Sequence, residues 1–161
     1  MSLSTIDILS LVLALCGVML SLLPRVPAVV ASYAALVLAY FSAPEYIGTS
    51  TLVFWGIASA IVLGMEYLQP RTPGIAGGAY VWAGAVVGTM LGFLASPSAA
   101  AVIIGSAAGA FLGSVAFMRT PRGPRFSIGS RRFVDFLCSR GLPAVVCCAI
   151  GTIAAAVVLS V

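Results

Sequence analysis

Residues 75–118, IAGGAYVWAGAVVGTMLGFLASPSAAAVIIGSAAGAFLGSVAFM, decide how this chain folds. The stretch holds no Asp, Glu, Lys, Arg or His. One break, Ser96-Pro97-Ser98, divides it into runs 75–95 and 98–118, each close to the ~20 apolar residues that a membrane-spanning helix needs. The first run carries Gly84, Gly88 and Gly92, the second Gly105, Gly109 and Gly113. Residues four apart share one helix face, so each helix presents a groove without side chains. In lipid, close backbone approach through small residues does much of the work of joining helices. With so short a connection, the pair reads as a tight antiparallel glycine-zipper hairpin. Two uses of the grooves stay open: packing on each other, or meeting a second copy or another membrane protein.

The same pattern extends outward through the chain. Of 161 residues, 61% are apolar and 7% charged, against about 45–50% and 25% in ordinary soluble domains. A fold of this size buries only about 70% of its surface, so lipid is the expected partner for the remainder. Four further apolar runs fit the spanning length or approach it, at 6–23, 26–42, 49–68 and 142–161. The reading is all-α: a polytopic bundle of six membrane segments forming one domain, 1–161. Segment 26–42 is short, so the first two segments fit either a full hairpin or a shallower re-entrant pair. Ser4 and Asp7 suit a capping box at the first helix. That run lacks a basic flank and a small-residue cleavage motif, so it is expected to stay in the mature protein.

The cations are all arginine. Arg25 falls between segments one and two, and Arg71 between three and four. Arg119, Arg122, Arg125, Arg131, Arg132 and Arg140 all lie in the link 119–141. Every arginine therefore maps to one side of the membrane, and Asp7 and Glu45 to the other. Positive residues mark the cytoplasmic face, so both termini are expected outside an inner membrane. So placed, the net charge of +4 reads as an orientation signal facing anionic lipid headgroups, and no nucleic-acid surface is expected. Within the link, 130–140 suits either a short amphipathic helix in the headgroup layer or a turn into a last helix kinked at Pro143.

Chemistry-bearing residues are few. With no histidine, no paired carboxylates and no nucleophile beside a base, enzyme activity, a metal site and a cofactor are not expected. Cys16, Cys138, Cys147 and Cys148 lack zinc spacing and read as small packing residues. Glu66 is the one ionisable residue inside a segment. At a helix C-terminus its charge opposes the macrodipole, so a compensating partner is expected. One reading pairs it with Arg71; the other makes it a proton- or cation-linked carboxylate. Arg25, in the link Leu23-Pro24-Arg25-Val26-Pro27, is a candidate anion contact. Trp55, Trp82, Tyr46, Tyr67 and Tyr80 lie where an aromatic belt would anchor the helices.

Leu23-Pro24-Arg25-Val26-Pro27, the Glu66-Tyr67 pair closing the third segment, and the glycine runs Gly84 to Gly92 and Gly105 to Gly113 together resemble a bacterial membrane family catalogued as domain of unknown function number 456. The chain departs from that pattern at Arg25 and Ala28, at Arg71-Thr72-Pro73-Gly74, and at Ser114. The resemblance implies a small bacterial inner-membrane protein and no particular activity. Two functions fit the sequence: a transporter or channel-like protein for a small solute or lipid, alone or as a homo-oligomer, and an assembly subunit docking through its glycine faces.

Overall fold

The computed structural model describes residues 4–23, 27–68, 75–121, 123 and 128–160, and no strand occurs among them. Seven α-helices follow one another: α1 Thr5–Leu20, α2 Ala28–Ser42, α3 Thr49–Leu68, α4 Ile75–Ala95, α5 Ala99–Met118, α6 Arg131–Phe136 and α7 Leu142–Ser160. A π-helical turn, Leu137–Gly141, joins α6 to α7 as one continuous rod. Four helices are long and apolar enough to cross a membrane by length and composition: Thr49–Leu68, Gly77–Ala95, Ala99–Met118 and Arg131–Val158. α1 and α2 are shorter, at 16 and 15 residues. At 1.5 Å per residue they reach about 24 and 22 Å, less than a hydrocarbon core of ~30 Å.

Local chemistry sets the helix ends. The Ser4 side chain accepts from the Ile6 N–H, and the Ser4 N–H donates to Asp7 Oδ2 at 2.9 Å, closing the capping box at α1. Ser98 and Ser130 cap α5 and α6 by a simpler contact, each side-chain oxygen accepting from the backbone N–H three residues on, of Ala101 and Phe133. The π turn precedes Pro143, which has no N–H for the Ser139 carbonyl and whose ring would crowd it. Widening that turn by one residue relieves the clash without stopping the helix. The helix therefore begins at Arg131. Residues 131–136 are helical and not a turn, and they face the bundle: Phe133 and Phe136 are buried and Phe136 stacks on Phe117 of α5 at 5.9 Å.

Helices pair as antiparallel neighbours. In the α1–α2 hairpin the Ser42 hydroxyl donates to Asp7 Oδ1 at one end, and Ser10 Oγ donates to the Ala35 carbonyl at 2.8 Å in the middle. Nearer the other end, a Cβ on Gly17 would sit 2.8 Å from the Ser32 nitrogen. In the α4–α5 hairpin, Gly84, Gly88 and Gly92 meet Gly113, Gly109, Gly105 and Ala101 backbone to backbone.

The last rod joins these hairpins. α7 touches α1, α2, α3, α4 and α5. Its adjacent cysteines point to different sides: Cys147 into a core with Ala14, Leu36 and Val29, Cys148 into one with Val81, Ala110 and Phe136. Successive residues on a helix diverge by about 100°, so a Cys-Cys step lets one helix serve two cores with small apolar groups. α3 is the least embedded of the four candidate spans. Only 17% of it is buried, against 67% of the last rod, and it packs on α2 and α7.

Outward faces are apolar nearly everywhere: Leu15 on α1, Ile57 and Ile61 on α3, Leu91 on α4, and Ile104 and Leu112 on α5 are all exposed. Exposed apolar surface this continuous marks a surface made to be covered. Gly64 of α3 lies on such a face, with nothing within 4 Å of a Cβ built on it. Gly64→Ala is therefore expected to stabilise the fold by about 0.5–1 kcal/mol through helix propensity alone, read as a higher unfolding midpoint in detergent.

Candidate functional site

Asp7, Gly17, Trp82, Phe117 and Phe136 establish which helix ends lie together. Trp82 Nε1–H, near the start of α4, donates to the Val18 carbonyl near the end of α1 at 2.8 Å. Phe117, at the end of α5, packs on Tyr80 and Phe136. The end of α1, the start of α4, the end of α5 and the π turn thus share one end of the bundle, and the described arginines Arg119, Arg131, Arg132 and Arg140 all belong to it. The Asp7–Ser42 contact lies at the opposite end.

Arg119, Arg131 and Arg132 are exposed. Arg140 is half-buried and differs from them. The π turn carries its side chain across Gly78 of α4: a Cβ built on Gly78 would lie 3.6 Å from Arg140 Nη1, 4.0 Å from its Cδ and 4.0 Å from the Leu22 carbonyl oxygen. These are ordinary contact distances, so the glycine leaves room for about a methyl group between the guanidinium and the carbonyl end of α1. Glu66, also half-buried, lies within electrostatic reach of Arg140. The carboxylate in the last turn of α3 and the guanidinium on the central rod thus act on each other electrostatically from different helices.

Reading along the chain pointed to Arg71 as the partner because it follows Glu66 by five positions. Arg71, Arg25, Arg122 and Arg125 lie outside the described residues. The signal for Arg140 was present but weak: an arginine flanked by Phe136, Leu137 and Leu142, one turn inside an apolar run. Trp82 hydrogen-bonds α1, and Trp55 is buried at 5% exposure, so both tie helices together. Tyr46, Tyr67 and Tyr80 are exposed.

The glycines Gly84, Gly88, Gly92, Gly105, Gly109 and Gly113 face one another inside the chain, which leaves those faces no room for a second protein. At the bundle's opposite end, a groove of about 320 Å³ between α3 and α5 is lined by Ser50, Thr51, Phe54, Trp55, Ala99 and Ile103. No ionisable group lines it. The Glu66–Arg140 pair is therefore the better candidate for chemistry.

Compared with known proteins, the chain matches no family model, no curated protein and no solved structure.

Proposed function

We propose that this chain is a small multi-pass inner-membrane protein, bacterial in type, that moves a small solute or lipid, and that Glu66 and Arg140 are its working pair. In this reading the arginine-bearing end faces the cytoplasm and both termini lie outside. The observation that carries it is the electrostatic coupling of two half-buried opposite charges across elements of unequal attachment. Glu66 rides on α3, the least buried of the candidate spans, while Arg140 is fixed to the most buried rod. Ionisable groups at membrane depth are costly and concentrate on transport pathways, and π turns recur at functional sites. The rival reading, an assembly subunit docking through its glycine faces, loses support because those faces already pack on each other.

The test uses purified protein in liposomes, with a trapped pH-sensitive dye for protons and a quenchable fluorescent phospholipid for lipid movement. At least one flux is expected to exceed that of protein-free vesicles. Glu66→Gln is expected to lower it about tenfold or more while eluting as the wild type does. Wild-type flux in that variant, or no flux above background in the wild type, would end the proposal.

A further inference from the structure

The two helical hairpins differ in length. α1 and α2 have 16 and 15 residues, about 24 and 22 Å, whereas α4 and α5 have 21 and 20, about 32 and 30 Å. Two contacts fix the depth of the short hairpin against the long one. Trp82 Nε1–H of α4 donates to the Val18 carbonyl of α1, and the Leu22 carbonyl oxygen lies 4.0 Å from a Cβ built on Gly78. α1 and α4 run in opposite directions from this anchor. Away from the arginines, Val18 to Thr5 and Trp82 to Ala95 each cover about 20 Å, so the two helices end level. The shortfall of about 4–7 Å therefore falls at the arginine-bearing end. There α1 stops at Leu20 and its chain passes Gly78 at Leu22, whereas α4 runs back to Ile75.

The outward side of α1 is apolar along its length: Ile8, Leu9, Val12, Leu15 and Met19 are each about half exposed. In a membrane, hydrocarbon must cover this face. A bilayer meeting a short apolar face matches it by thinning, at a small cost for each ångström. Phospholipids with shorter acyl chains avoid that cost. The long hairpin, joined to the short one through α7, makes no such demand.

We propose that the α1–α2 flank is a surface for short-chain phospholipid, where the leaflet at the arginine-bearing end thins, while the α4–α5 flank takes a bilayer of ordinary thickness. The selection is for acyl length and not for headgroup. It stands apart from Glu66, Arg140 and transport, and requires only that these helices lie in a membrane. A protein with one thin flank collects in the thinner regions of its membrane.

Two probe positions compare the flanks in the intact chain. Cys16 is exposed on α1, level with Gly84 near the middle of α4, and Val87 of α4 is 55% exposed. A bimane on Cys16, in a chain carrying Cys138→Ser, reads the short flank. A bimane at Val87→Cys, in a chain also carrying Cys16→Ser and Cys138→Ser, reads the long one. Cys147 and Cys148 are buried. Each labelled protein is reconstituted in equal mixtures of dimyristoleoyl- and dioleoylphosphatidylcholine, with one lipid brominated in turn. Quenching then gives the lipid ratio beside the label, with the headgroup held constant. The shorter lipid is expected to be enriched about threefold at Cys16 relative to Val87. The same ratio at both positions, or enrichment of the longer lipid at Cys16, overturns the proposal.

Discussion

Gly88→Leu is expected to leave no folded monomer. At this position a Cβ would lie 2.9 Å from the Gly105 carbonyl carbon and 2.9 Å from the Gly109 Cα. Both are backbone atoms on the facing helix, so no side chain can rotate away. Relief requires α4 and α5 to separate, and the hairpin's other close approaches, at Gly84 and Gly92, would open with them. Ordinary overpacking costs about 1–3 kcal/mol. A leucine wedged between two backbones exceeds that, and a loss above ~4 kcal/mol is large against a whole stability of about 5–15. Even Gly88→Ala should be felt. The control is Gly64→Leu, the same change at a site where nothing lies within 4 Å, which is expected to fold normally. Size-exclusion chromatography and tryptophan fluorescence in detergent read both. A folded Gly88→Leu monomer that loses only its self-association would show that the glycine contacts belong between chains.

Arg140→Gln is expected to destabilise the fold by about 2 kcal/mol, and adding Glu66→Gln to restore most of that. Removing one partner of a buried ion pair costs roughly 3–5 kcal/mol because a charge is left uncompensated; half-exposure brings the figure down here. The two single variants should also differ from each other. Without Arg140, Glu66 stands at the C-terminus of its own helix, where the macrodipole opposes it. Without Glu66, Arg140 still lies near the carbonyl end of α1, where a cation is favoured. Glu66→Gln should therefore cost well under 1 kcal/mol. A double-mutant cycle of denaturant midpoints isolates the pair from whatever else Arg140 touches. If the two losses simply add, the charges do not interact energetically, and Glu66 and Arg140 are not a working pair.

What could be read along the chain and what could not divide by the range of the forces involved. Segments 49–68 and 75–95 coincide with α3 and α4, because length, hydropathy and flanking prolines act locally. The Ser4–Asp7 capping box is local too. The π turn was missed because a glycine and a proline in sequence, Gly141 and Pro143, signal a break unless packing holds the helix together. Here Phe133 and Phe136, buried against α5, do so. The pairing of Glu66 with Arg140 spans more than seventy positions and depends on how α7 settles against α3. Asp7 with Ser42, and Trp82 with Val18, are of the same kind: each donor and acceptor was visible, but the depth at which helices meet was not.

The position of α7 at the heart of both cores has a consequence for biogenesis. Helices leave the ribosome in order, and this one follows the other six. Until it arrives, α1–α2 and α4–α5 can each close as a hairpin, since their contacts are internal. Neither hairpin can complete its core, because Cys147 and Cys148 supply the missing wall of each. Assembly therefore ends when this helix docks on the two preformed hairpins and closes both cores. Until then the intermediate leaves the core positions filled by Cys147 and Cys148 open.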